Sequence, residues 1–262
     1  MTDPRFGEQG GLLTYGAYLR LSDLLDQQVP ESTPPAHDEL LFITIHQVYE
    51  LWFKLLLAEL TDARDRMLAG ESYLPRVRLG RARVVEDLLI KQVDVIDTMT
   101  PQDFLAFRTK LAPASGFQSA QFREIEYRLG LKDPSYLQHY SEGTGERGRL
   151  EAALAEPSLR EAATAALERA GFDLGDRSTE ALAAAWLQVY RDADRWFELY
   201  ELAEKLVDID DALAGWRHKH VLTVERIIGH KRGTGGSAGA SYLRSTVDKR
   251  VFPELWALRT DL

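Results

Sequence analysis

The sequence predicts an all-α fold, a helical bundle with a small helical insertion. Apolar residues recur at helical spacing over long runs, β-branched alternation is almost absent, and most Gly and Pro residues fall between the runs. The first long run, about 39–69, has no Gly or Pro and is apolar nearly all round in its first half, the pattern of a buried helix. A second run, 76–99, ends before Thr100-Pro101. Pro101 suits the first turn of a short helix, and 117–129 reads as another helix closed by Gly130. The stretch of about 133–176 is Ala-rich with scattered Pro and Gly, and is expected to pack beside the bundle. From Ser178 a long helical pattern runs through Trp186 and Val189 to Ile228. The Gly-rich loop HKRGTGGSAGAS follows, and then a short helical segment. No repeat of fixed period is present. The expected organisation is one domain, 1–262, with an N-terminal arm over about 1–25.

Composition narrows the function classes. With 45% hydrophobic and 28% charged residues, the 262-residue chain has the make-up of a globular domain large enough to bury a core. Its net charge of −9 offers no basic footprint for a nucleic acid. The absence of cysteine excludes disulfides, thiolate nucleophiles, Cys-rich zinc sites, iron–sulfur clusters and covalent C-x-x-C-H haem attachment. The apolar runs are broken by charged residues, so no segment reads as a membrane span, and the N-terminus lacks a signal pattern. A cytoplasmic protein is expected.

Without cysteine, chemistry on a cofactor falls to histidines and carboxylates. Phe42, His46, Tyr49, Phe53 and Leu57 form one helical stripe. His46 on that stripe reads either as a core imidazole bonded to a backbone carbonyl or as a functional group. Trp216, His220, Thr223, Val224 and Ile227 share another face, while His218 points about 160° away by helical geometry. His220 is therefore expected inward and His218 in solvent. Zinc needs three or four ligands, whereas haem needs one axial protein ligand, so two inward histidines among aromatics suit a haem pocket better. His37, His139 and His230 are assigned no chemistry; His37, after Pro34-Pro35, is expected in a loop.

Three further features admit two readings each. Arg108 shares a stripe with Phe104 and Leu111, and either snorkels to solvent or clamps a substrate carboxylate. The GTGGSAG loop lacks the spacing of a Walker loop and follows no strand. It is a connector, or it closes over a ligand with Thr234 and Ser237. Tyr15, Tyr18 and Leu19 form a small apolar face that packs on this chain or on a neighbour.

Taken together, LTYGAYLRLSDLL at 13–25, FITIHQVYELWFK at 42–54, FLAFRTKLAPASGFQSAQFREIEYRLG at 104–130, WRHKHVLTVERIIGHKRGTGGSAG at 216–239 and YLRSTVDKRVFPELW near the end resemble the tryptophan 2,3-dioxygenase family. These segments lie in family order and spacing; only about 133–176 is unspecific. The resemblance implies haem-dependent cleavage of the indole C2=C3 bond of L-tryptophan by O2, giving N-formyl-L-kynurenine, the first step of the kynurenine pathway. It implies haem b, one per subunit and ferrous when active, with His220 as its axial ligand. His46 is implied to face the indole N–H. The run Phe42, Ile43, Thr44, Ile45 and His46 is implied to line the substrate pocket, with Phe104, Leu111 and Ser115. Arg108 would bind the carboxylate and Thr234 the amino-acid moiety. The family is a homotetramer, a dimer of dimers, in which Tyr15, Tyr18 and Leu19 complete a neighbour's pocket. Phe104 stands where some members carry Tyr, and His218 where an aromatic is often seen. Rivals are a haem monooxygenase, told apart by product mass, and a haem carrier or a cofactor-free helical module, told apart by turnover and by absorption.

Overall fold

A computed structural model describes residues 13–236 and 238–262, and among them every regular element is helical. Two short helices, α1 (Tyr15–Leu19) and α2 (Leu21–Leu24), meet at Arg20 in the left-handed region. Helix α3 (His37–Leu68) starts one residue after Ala36, so His37 opens the helix instead of lying in a loop. Its first turn carries Asp38 and Glu39, which suit the positive end of the helix dipole. Glu39 is fully buried and accepts hydrogen bonds from the Glu31 and Ser32 amides, tying the preceding loop down. Helix α4 (Tyr73–Ile96) starts earlier than expected, because Pro75 is tolerated in its first turn. Helix α5 (Pro101–Leu111) begins with a capping box between Thr100 and Asp103 and with Pro at its start. A 3-10 turn at Gly116–Gln118 precedes α6 (Ala120–Leu129), which Gly130 closes at φ 136°.

Two expectations about the second half are corrected. Residues 133–176 do not all lie beside the bundle. Helix α7 (Gly145–Ala155) does, forming a small core with Tyr127 and Tyr140. Helix α8 (Leu159–Arg169) instead joins the main core through Leu159, Ala162, Ala163 and Leu167, packed on α3. The small residues permit that close approach. The run from Ser178 to Ile228 is two helices, α9 (Thr179–Arg191) and α10 (Phe197–Ile228). Asp192 leaves the helical region at φ −132°, and short acidic side chains at Asp192 and Asp194 favour such breaks. The break lets α9 turn onto the C-terminal end, where α11 (Ala240–Arg244) is followed by α12 (Pro253–Ala257).

The main core gathers Phe53 and Leu60 of α3, Leu79 and Leu89 of α4, Trp186 of α9, Leu206 and Ile209 of α10, and Leu255 of α12. Helices α3 and α4 are antiparallel, registered by Tyr49 bonding to Leu89 O at 2.7 Å and Arg81 to Glu59 at 2.8 Å. The first half of α3 is less buried than its composition predicts. One side lines a cavity, and on the other side Leu40, Leu51 and Leu55 are exposed, as are Val84 and Leu88 of α4. By length and composition alone α3 is apolar enough to cross a membrane, with a mean hydropathy of 1.4 in its best window, a test that core helices also pass. Its second half is a core helix: Leu56, Leu60, Ala63 and Met67 are buried.

The C-terminal segment hangs on one fully buried carboxylate. Asp210 accepts the amides of Val251 and Phe252 and the Trp256 indole N–H, each at 3.0 Å. Asp210→Ala strands those donors and is expected to cost about 3 kcal/mol. The loss is read as a lower Tm and as faster amide exchange over 251–256, with Asp210→Asn intermediate.

Candidate functional site

Helices α3 and α10 both pack along α4, and a cavity of about 290 Å³ opens between them. Residues four apart on a helix share a face. On α3 this brings Phe42, His46, Tyr49 and Phe53 to the cavity; on α10 it brings Trp216, His220, Thr223, Val224 and Ile227. Val93 and Ile96 of α4 form the apolar back wall, and Phe104 and Arg108 of α5 close one side. Ser115 stands at the mouth with Gly233 and Thr234. Ile43, Thr44, Ile45 and Leu111 do not line this cavity. Ile43, Thr44 and Ile45 fall 100–300° around the helix from Phe42 by helical geometry, so a contiguous run cannot all face inward. Ile45 is buried instead, and Leu111 packs with Phe107 and Met99. Tyr15, Tyr18 and Leu19 are exposed and reach no part of the cavity of this chain. Ser237 and residues 1–12 of the arm lie outside the described residues.

The two histidines differ in their surroundings. His46 Nδ1 lies 2.7 Å from Phe42 O. A carbonyl only accepts, so Nδ1 carries the proton and Nε2 is left with a free lone pair. Both readings of this residue thus hold together: a backbone-bonded imidazole that also lines the cavity. Burial lowers its pKa, against the Phe42 bond and the Glu50 charge, so it is neutral near pH 7. His220 is lowered to about 4, by burial first and then by His46, with no hydrogen bond contributing. A neutral imidazole with a free ring nitrogen is the form that ligates a metal. Among the described residues no three His, Asp or Glu side chains gather as a metal-binding group. His218 is exposed, as its face predicts.

The cavity is apolar but carries cations at two places. Arg108 Nη2 donates to Arg232 O, while its buried Nε has no partner. On another wall Arg217 donates to Glu126 at 2.6 Å and Arg123 pairs with the other Glu126 oxygen, so two guanidiniums share one buried carboxylate. Arg123 also lies 3.3 Å over the Tyr136 ring, whose hydroxyl meets that of Tyr242 at 2.7 Å. One positive charge is left over in a low-dielectric wall, a setting that favours an anion. Reading the sequence missed Arg123, Glu126, Arg217 and Tyr242. Arg217 had a signal, since it lies three residues from His220 and so shares its side of the helix. Glu126 had a partial one: Arg123 lies three residues before it on α6, whereas Arg217 is distant in sequence.

The Gly-rich loop closes against the segment after α5. Thr234 Oγ1 donates to Ala114 O. A Cβ on Gly235 would come 2.6 Å from Ser115 Cβ, and one on Gly239, at φ 64°, would come 2.6 Å from Lys231 O. Only glycine allows that fit.

A helical scaffold that splays two helices around an apolar, cation-flanked cavity, with one unpartnered imidazole inside, is the build of an all-α enzyme pocket and not of an interaction module. A family model described as tryptophan 2,3-dioxygenase matches residues 3–174 and 173–262. Proteins of that name from Nocardioides sp., Caulobacter vibrioides and Bacillus cereus are similar to this chain: 53, 49 and 45% identical over 98, 95 and 95% of it and 97, 98 and 93% of their own lengths. The chain belongs to the tryptophan 2,3-dioxygenase family.

Gly235→Ala is expected to push the loop off Ser115. Amide exchange over 231–236 should rise several-fold, while Tm changes little because the loop lies outside the core.

Proposed function

We propose that this protein is a haem-dependent dioxygenase that converts L-tryptophan and O2 to N-formyl-L-kynurenine. The observation carrying the proposal is that His46 and His220, from two helices that both pack along α4, face one apolar cavity whose edge holds the unpartnered Nε of Arg108. The residues fit haem b. His220, a lone and neutral imidazole, would hold the iron. Haem needs one protein ligand, so no carboxylate cluster would be required, and the shared Arg123–Glu126–Arg217 charge would hold a group bearing carboxylates. When bound, ferrous haem supplies the O2 chemistry that cleaves the indole C2=C3 bond.

The chain's own part is placement. Arg108 offers a planar fork to the substrate carboxylate, and its bond to Arg232 O couples that clamp to the loop. Thr234 and Ser115, at the mouth, meet the amino-acid moiety. Phe42 and Phe104, 5.6 Å apart between ring centroids, supply aromatic walls for the indole. His46 Nε2 accepts the indole N–H. An indole proton is far too weakly acidic for imidazole to remove outright, so His46 orients the ring and is not a general base.

The remaining exposed apolar surface fits a homotetramer, a dimer of dimers. Leu51 and Leu55 of α3 and Val84 and Leu88 of α4 are exposed, and α1 exposes Tyr15, Tyr18 and Leu19, which we assign to a neighbour's pocket. One domain spans 1–262, and the protein is cytoplasmic.

Adding L-tryptophan and O2 to reduced, haem-loaded protein should produce N-formylkynurenine absorbance and a product heavier by two oxygen atoms. A product with one added oxygen, or none, overturns the proposal. Arg108→Lys replaces a fork by a point charge and is expected to lower kcat/KM roughly 10- to 1000-fold, about 1.4–4 kcal/mol. Near-normal kinetics would remove Arg108 from the carboxylate. His46→Ala should raise KM while retaining measurable turnover; complete inactivity with haem and tryptophan still bound would make it a catalytic base after all.

A further inference from the structure

Glu86, on α4, is 3% exposed, and neither of its carboxyl oxygens has a hydrogen-bond partner. It borders a second void, of about 10 Å³, whose other walls include Phe53, Leu56, Leu89 and Phe122. Trp216 lines the same void, and its indole N–H is likewise buried and unpaired. Trp216 also reaches the ligand cavity, where its ring centroid lies 5.0 Å from that of His220 at a 31° tilt. Buried polar groups are rarely left unpaired, and a void of roughly 10–15 Å³ holds one water where two or more polar groups border it.

We propose that one buried water binds in this void, bridging the Glu86 carboxyl and the Trp216 indole N–H, and that Glu86 thereby acts as a positioning residue for His220. The second half rests on His220 being the haem ligand. Burial holds the Glu86 carboxyl well above the usual range; Arg83 opposes this, and Asp87 and Asp210 reinforce it. Burial thus favours the neutral acid. The water accepts the indole N–H and exchanges one donor and one acceptor with the carboxyl. Trp216, fixed at its edge, presents a set ring face to His220. The competing acceptor is the Tyr49 hydroxyl, which lies beside the indole N–H and already donates to Leu89 O at 2.7 Å.

The test compares haem-loaded wild type with Glu86→Gln and Glu86→Leu by high-resolution crystallography and by resonance Raman of the ferrous iron–histidine stretch. Water density within hydrogen-bond distance of both groups is expected in wild type and Glu86→Gln and is lost in Glu86→Leu. Glu86→Leu should fold, since it replaces an unpaired buried acid by an apolar side chain. Its iron–histidine band should shift and its kcat fall about 10-fold, while Glu86→Gln stays near the wild-type band. No water at Glu86, an indole N–H bonded to Tyr49 instead, or a wild-type band in Glu86→Leu each overturns the inference. Wild-type protein that takes up no haem would overturn the assignment of His220, and the density at Glu86 would still judge the water.

Discussion

Helix α4 is the strut on which the rest depends. Both α3 and α10 pack along it, and because they are held by a common neighbour they need not close on each other. Side chains on their facing sides then meet an opening in place of a packed seam. Everything at the site follows from that splay. His46 and His220 face one space from opposite elements, and Phe42, Val93, Ile96 and Ile227 make its walls apolar. The register between α3 and α4, held by Tyr49, Gln92 and Arg81, sets where along the opening His46 stands.

Low dielectric does the remaining work. Burial keeps both imidazoles neutral, one as an acceptor with its tautomer set by Phe42 O, the other without a hydrogen bond. The same burial makes charge expensive, and pairing offsets that cost. Glu126 serves two arginines, and Asp210 takes three donors. Arg108 Nε and the Glu86 carboxyl are among the buried groups left without a partner. At the wall of a cavity, such a group marks a place where a further molecule belongs.

The loop at 231–236 links the cavity to the segment after α5. Arg108 holds Arg232 O, and Thr234 holds Ala114 O. A ligand that engages Arg108 therefore acts on the loop as well, through the same guanidinium. The glycines at 235 and 239 are required by close backbone approach at both positions and, at 239, also by the backbone angle. As spacing alone, the GTGGSAG string had no distinguishing meaning.

The helical class, the two inward histidine faces and the position of Arg108 on an apolar stripe were all legible in the linear order. Each is a local periodicity, and side chains three or four residues apart must share a face whatever the helix packs against. The break at Asp192, the union of α8 with the main core, and the partial exposure of α3 were not legible, because each depends on what lies opposite. Nor were the pairing of Arg217 with Glu126, or the facing of Glu86 and Trp216 across one void. The sequence by itself determined which face each residue occupies, through the 3.6-residue period of the helix. Only the tertiary structure decided which faces meet, because burial and charge pairing act between segments that the chain order leaves far apart.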